Sequence, residues 1–335
     1  MKIIIPMAGM GKRMRPQTLT VPKPLIQISG KTIVQLLIEE INKVLRHPIT
    51  DIGFVIGDFG KSVENELVGI ARKLGAEGHI FYQNEPLGTA HAVFCAAPLL
   101  QNEVIVVFAD TLFKVSHIEI DKKTEGLIWV KSVEDPRIYG VVKVNENNHI
   151  TEFIEHPQDN SSNLAIIGMY YFRNAENLKS EIQYLLDNQI VVKGEYQLTV
   201  ALENMKRNGT IFSSASVLEW LDCGNKETTL YAHQRILEHR KNEQLVDYTA
   251  VIKNSIVVPP CFIGENVLIE NSVIGKYTSV GQGTKIRNSI VLNSIIQQNS
   301  LIENVNVKNS IIGNFVKLTS EGNEWNIGDY SQMKI

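Results

Sequence analysis

Apolar positions in the first two-thirds of the chain fall in short β-branched blocks that alternate with stretches of helical spacing. Lys2-Ile3-Ile4-Ile5 reads as a buried strand, and Thr32 to Leu45 carries apolar residues three and four apart until His47-Pro48 stops it. Ile52 to Ile56 reads as the next strand, Lys61 to Leu74 as a helix closed by Gly75, His79 to Gln83 as a third strand and Glu103 to Asp110 as a central one. This alternation predicts an α/β fold, a Rossmann-like, mixed but mostly parallel sheet layered by helices, with ligands beyond the carboxyl ends of the strands. A turn into a strand is expected over 135–142 and further strands over 150–157 and 165–172, then a helix running to Arg207 and a charged helix from Asn225 to Lys241.

From Val251 the pattern changes. Asn-Ser followed by Ile or Val recurs at Asn254, Asn271, Asn288, Asn293 and Asn309, the first two intervals being 17 residues. Ile263-Gly264, Ile274-Gly275, Val280-Gly281 and Ile312-Gly313 add hexapeptide-like pairs. One small β-branched residue per inward face and small residues at corners are what a stacked β-solenoid requires. The expected domains are therefore 1–243, a polar link over 244–250, and a solenoid over 251–335.

Composition narrows the partners. With 335 residues and a net charge of −3, from 33 basic and 36 acidic side chains, the chain offers no global attraction to nucleic acid or to anionic lipid. Cys95, Cys223 and Cys261 lack metal-ligand spacing and read as reduced thiols. The sequence opens directly on a core strand and holds no apolar run of membrane-spanning length, so a soluble, cytoplasmic protein is expected.

Any anion binding must then be local, and Met7 to Lys31 is where the cations gather. Gly9 and Gly11 can bring backbone N–H groups close to an anion, while Lys12, Arg13, Arg15 and Lys23 supply charge, which reads as a triphosphate cradle. It is not a Walker loop, because Arg13 follows Lys12, nor a dinucleotide fingerprint, because the third glycine is missing. After the third strand, Gly88 permits close approach of a flat base and the Gln83 amide offers a donor and an acceptor to a pyrimidine edge. Thr89 reads as a helix cap, and His91 as helix packing. Asp110, at the tip of a buried strand, would be costly to desolvate unless paired or bound to a metal.

The order Ala-Gly-x-Gly-x-Arg-Met-x-Pro-x-Thr from Ala8, followed by Pro22-Lys23-Pro24-Leu25, Pro86-Leu87-Gly88-Thr89-Ala90, Gly194-Glu195-x-x-Leu198-Thr199 and Trp220-x-Asp222-x-Gly224, resembles the sugar-1-phosphate nucleotidylyltransferase family. The likeness is greatest to glucose-1-phosphate thymidylyltransferases, and the repeats resemble the left-handed β-helix appended to many of these enzymes. The resemblance implies that hexose-1-phosphate attacks the α-phosphorus of a nucleoside triphosphate, dTTP or UTP, releasing pyrophosphate. It implies nucleotide binding by Ala8, Gly9, Gly11, Lys12, Gln83, Gly88 and Thr89, with Arg13 and Lys23 offsetting phosphate charge. Sugar phosphate falls to Tyr139, Gly140, Glu155, His156, Ile166 and Lys193, and Mg2+ to Asp110 and Asp222. Lys12 replaces a family threonine, Ala109 a glycine and His156 a lysine, for which Lys193 is a second candidate cation. Rival readings are a catalytically silent nucleotide-sugar-binding regulatory subunit, a mannose-1-phosphate guanylyltransferase, and a bifunctional enzyme with acyltransferase chemistry in the solenoid. No histidine follows His239, so the solenoid is assigned to assembly or regulation, in a homo-oligomer.

Overall fold

A computed structural model describes residues 1–118, 120–155, 157 and 162–321. The chain forms two compact units, one of Met1–Ile26 with Lys31–Thr229 and the other of Gln27–Gly30 with Leu230–Ile335. The division falls inside the helix Lys226–His239 rather than near residue 243, and it gives a short amino-terminal segment to the second unit.

In the first unit, strands β1 (Lys2–Pro6), β2 (Asp51–Ile56), β3 (Glu77–Tyr82) and β4 (Val104–Val107) alternate with helices α1 (Ile33–Val44), α2 (Lys61–Lys73) and α3 (Thr89–Cys95). They pair in the order β3-β2-β1-β4, all parallel. Ile3, Ile4, Ile5 and Val104 to Val107 are wholly buried, as the unbroken apolar runs of central parallel strands require. Helix α1 starts where the Thr32 hydroxyl accepts from the Gln35 amide at 3.2 Å.

The other half of the sheet is mostly antiparallel. After β5 (Thr111–Lys114) come β6 (Gly126–Ser132), β7 (Gly140–Val144), β8 (Ile150–Glu155) and β9 (Leu164–Phe172), and no described helix intervenes between them to carry a parallel crossover. Strand β9 pairs antiparallel with β4, β6 and β7, and at Gly168, φ 85°, its register against β6 shifts. Helices α4 (Ala175–Asp187) and α5 (Leu198–Arg207) follow, then β10 (Phe212–Ser216), which pairs parallel with β6, and β11 (Glu219–Asp222). The register of β1 on β4, Ile4 opposite Val106, sends the loop after Pro6 and the turn after Val107 out at the same edge of the sheet. Strand β5 leaves that sheet and forms a separate antiparallel ribbon with β11, Thr111 opposite Asp222.

The second unit is a parallel β-helix of the expected left-handed class, with three faces stacked as strand ladders. Strands of the first face begin at Val251, Leu268, Lys285, Leu301 and Lys317, so the coil is 17 residues long at first and 16 afterwards. Ile263, Ile269, Ile274, Val280, Ile286 and Val291 point inward and are wholly buried. Three columns of left-handed residues turn the corners: Asn254, Asn271, Asn288 and Asn304 in one, Tyr277, Asn293 and Asn309 in another, and Asn266, Gly283, Asn299 and Phe315 in the third. The motif spacing in the sequence thus combined two different corners. In the first column each asparagine amide donates to the next, Asn254 to Asn271 at 2.8 Å, Asn271 to Asn288 at 3.2 Å and Asn288 to Asn304 at 3.0 Å. The segment Gln27–Gly30 is held in this unit by Arg240 donating to the Ser29 carbonyl at 2.6 Å and Gln297 to the Gln27 carbonyl at 2.9 Å.

Two stability predictions follow from these corners and from one buried histidine. Asn271→Ala loses both ladder bonds and the tolerance of asparagine for φ 48°, and should cost on the order of 1–3 kcal/mol; Asn271→Gly, which keeps only the tolerance, should cost less in denaturant titration. His233, on the helix α6 (Lys226–His239), is fully buried, and burial pushes its pKa down to about 3, the backbone of Tyr277 offsetting only part. Since the unfolded chain binds that proton near pH 6.5, stability should fall as pH drops from about 6.5 toward 3, by up to about 1.4 kcal/mol per unit. His233→Gln, which takes up no proton, should flatten that slope in thermal melts between pH 7 and 4.

Candidate active site

The loop after β1 turns at Gly11, whose φ of 56° is left-handed and whose missing side chain leaves room for Lys23 Cβ and Thr18 Cγ2, each 3.0 Å from where a Cβ would lie. The Thr18 hydroxyl donates to the Gly11 carbonyl at 2.8 Å and fixes the turn. A short helical turn, Lys12–Met14, then presents Lys12 and Arg13. Gly9 makes a different contribution from Gly11: its φ is not positive, and nothing lies within 4 Å of its absent Cβ, so this stretch of backbone is open to a ligand.

A cavity of about 390 Å³ lies at the carboxyl edge of the parallel strands, lined by Ala8, Gly9, Gly11, Lys12, Arg13, Lys23, Gln83, Gly88, Thr89 and Asp110. A smaller cavity of about 110 Å³ adjoins it through shared walls at Thr89 and Phe108, and is lined by Gly140, Glu155 and Ile166. The residues predicted for nucleotide thus line the larger chamber, and of those predicted for sugar phosphate Gly140, Glu155 and Ile166 line the smaller one, whereas Tyr139 lines neither. Lys193 lies in the exposed turn before Glu195 and lines neither. His156 lies outside the described residues.

The two acids meet through the ribbon. With Thr111 opposite Asp222, Asp110 comes beside the end of β11, where its carbonyl accepts from the Cys223 amide at 3.0 Å. Lys23 Nζ donates to Asp110 Oδ2 at 2.8 Å, a pair in which the lysine is buried and the carboxylate half-exposed. Burial, reinforced by the charge of Asp110, pushes the Asp222 carboxyl above the usual range, while Lys23, Arg13 and the Thr228 hydroxyl pull the other way. The Tyr139 ring packs edge-on against Trp220 with centroids 4.9 Å apart, and its hydroxyl feels both Asp222 and Arg13. Two oxygen donors that repel one another in a half-dry site suit a hard divalent cation such as Mg2+, which would offset both the burial and the Asp110 charge that raise Asp222.

Gly224 and Thr199 carry no assigned role in the sequence reading, and Gly140, Gly88 and Thr89 do more than the role it gives them. A Cβ on Gly224 would fall 2.9 Å from both carboxylate oxygens of Asp222, so this glycine makes room for the acid. A Cβ on Gly140 would fall 2.9 Å from Glu155 Oε2, its cross-strand partner. Gly88 has φ 117°, and its absent Cβ would meet the Tyr196 backbone at 2.5 Å and 2.7 Å, so close packing of chain on chain requires it as well. Thr89 does not cap its own helix. Its hydroxyl accepts from the Leu198 amide at 2.9 Å, at the head of α5, and so ties the Glu195 segment to the cavity wall. Thr199 donates to Glu155 Oε2 at 3.1 Å. His91, read as packing, lies with Nδ1 3.1 Å from Gln83 Nε2.

Comparison with known proteins agrees with this geometry. The chain is 29% identical over its whole length to the glucose-1-phosphate thymidylyltransferase of Streptomyces antibioticus, 99% of which is covered. It is 30% identical to the low-salt glycan biosynthesis nucleotidyltransferase Agl11 of Haloferax volcanii, over 72% of this chain and 67% of that one. A UDP-glucose pyrophosphorylase crystallised with UDP-glucose shares the fold at a TM-score of 0.59 and 23% identity, covering 71% of this chain and 99% of that one. The family model described as nucleotidyl transferase matches residues 2–239, and the chain belongs to that family.

Proposed function

We propose that the protein condenses a hexose-1-phosphate, glucose-1-phosphate, with dTTP or UTP to give a nucleoside diphosphate sugar and pyrophosphate. The observation that carries this reading is the convergence of Asp110 and Asp222 beside Lys23 and Arg13, at the mouth of a chamber that adjoins a second, smaller one. The relatives that span the whole chain, named glucose-1-phosphate thymidylyltransferases, support the choice of sugar and base. A guanylyltransferase for mannose-1-phosphate, to which the chain is also similar, is the nearest rival.

The chemistry follows from charge and position. An oxygen of the sugar phosphate forms a bond to the α-phosphorus as the bond to the bridging oxygen of the β-phosphate breaks, and pyrophosphate carries the electron pair away. Arg13, Lys12 and the open backbone at Gly9 meet the phosphate tail, while Lys23, released from Asp110, faces the α-phosphoryl group. Glu155, held by Thr199 and with Gly140 leaving it space, accepts hydrogen bonds from hydroxyl groups of the hexose in the small chamber. Mg2+ held by Asp110 and Asp222 would supply neutralisation of the triphosphate charge. The β-helix, lacking histidine after His239, is proposed to serve assembly of a homo-oligomer. Among the described residues no helix is long and apolar enough to cross a membrane.

Pyrophosphate release measured across a matrix of triphosphates and hexose phosphates should peak at dTTP or UTP with glucose-1-phosphate; activity confined to GTP with mannose-1-phosphate would transfer the assignment to the rival. Asp110→Asn should lower kcat by at least about a hundred-fold, the scale expected when a group stabilising transition-state charge is removed. Gly224→Ala should leave the fold intact but displace the Asp222 carboxylate, lowering kcat by at least about ten-fold with little change in the melting temperature. Asp222→Asn removes a charge that burial and Asp110 disfavour, so the unliganded protein should melt a degree or so higher while activity is lost.

A further inference from the structure

Gln83 lines the main cavity, and its side-chain amide is held at both N–H groups. Nε2 lies 3.1 Å from the Gly88 carbonyl oxygen and 3.1 Å from Nδ1 of His91. A carbonyl oxygen can only accept, so the Gly88 carbonyl favours the nitrogen end of the carboxamide on its side. The second N–H is then directed at His91 Nδ1, which accepts only when the ring is neutral and its proton sits on Nε2. Burial pushes His91 below the ordinary histidine value, the charge of Glu85 opposing, so the neutral ring prevails at physiological pH.

Both anchors are fixed from outside. The Gly88 carbonyl also accepts from the Ala92 amide at 3.0 Å, and Gly88 itself is pinned against the Tyr196 backbone. His91 rides on α3, whose neighbours Ala90 and Ala92 are buried. With its two donors committed, Gln83 keeps only Oε1 for the cavity, and no donor among the described residues reaches that atom.

We propose that His91 is a positioning residue that turns the Gln83 oxygen toward the cavity, so that the site accepts a hydrogen bond from the ring N3–H of uracil or thymine and disfavours cytosine, whose N3 only accepts. The proposal rests on reading the main cavity as the nucleotide chamber. Without the His91 acceptor the carboxamide is held by Gly88 alone and can turn to offer an N–H to cytosine N3, so the discrimination narrows.

The test is kcat/KM for UTP, dTTP and CTP with glucose-1-phosphate, in the unaltered protein and in His91→Leu, His91→Asn and Gln83→Ala. His91→Leu should reduce the preference for UTP or dTTP over CTP by about five-fold, the worth of one neutral hydrogen bond, and chiefly through KM. His91→Asn, whose Oδ1 can accept where Nδ1 did, should restore the preference, and His91→Leu added to Gln83→Ala should change the ratio no further. A residue that merely packs the helix would lower turnover of all three nucleotides alike. An unchanged ratio in His91→Leu, or the same fall in the Gln83→Ala background, overturns the proposal while leaving the enzyme assignment standing. If the unaltered protein turned over none of the nucleotides, the nucleotide reading itself would fail and take the proposal with it. Should His91→Leu not fold, His91→Ala serves in its place.

Discussion

The site depends on a short ribbon that stands apart from the main sheet. Asp110 and Asp222 are separated by half the first unit in sequence, and only the pairing of β5 with β11, Thr111 against Asp222, brings them together. A slip of one residue would turn the Asp222 side chain to the opposite face of the ribbon. The repulsion this creates is met by Lys23 from the amino-terminal loop, bonded to Asp110 at 2.8 Å. A sheet register thus places the negative charges and a loop supplies the positive one.

Much of the site was legible because its parts are local. Gly11, Arg13 and Lys23 lie within one loop, and the types of residue that cradle phosphate are few. The parallel half of the sheet was legible for the same reason, since strand and helix alternate through α3. The antiparallel half was read only in pieces: β6, β10 and α4 have no place in the sequence reading, and nothing in β9 announces that it will pair on both sides. Long-range pairing is a property of partners, and a single strand carries little record of who they are.

Glycines show the same limit in sharper form. Gly88, Gly140 and Gly224 stand in recognisable motifs, yet the neighbour each accommodates, the Tyr196 backbone, Glu155 or Asp222, is visible only in three dimensions. His91 is a comparable case. One histidine on an amphipathic helix reads as packing until Gln83 is found within hydrogen-bonding distance of its ring nitrogen. In the β-helix, period and inward residues were plain, but Asn293 and Asn309 were grouped with the Asn254 column because both corners spell Asn-Ser.

The change of coil length from 17 to 16 residues has its own consequence. The missing residue comes from a single vertex, between the strand at Ile290–Leu292 and that at Ile295–Ile296, where the earlier coils spend one residue more. The other two vertices keep their spacing throughout, so the columns of left-handed residues that turn them stay in step from coil to coil. Insertions and deletions in this solenoid are therefore absorbed at one edge of the prism, leaving two edges free to act as an invariant ruler along its axis.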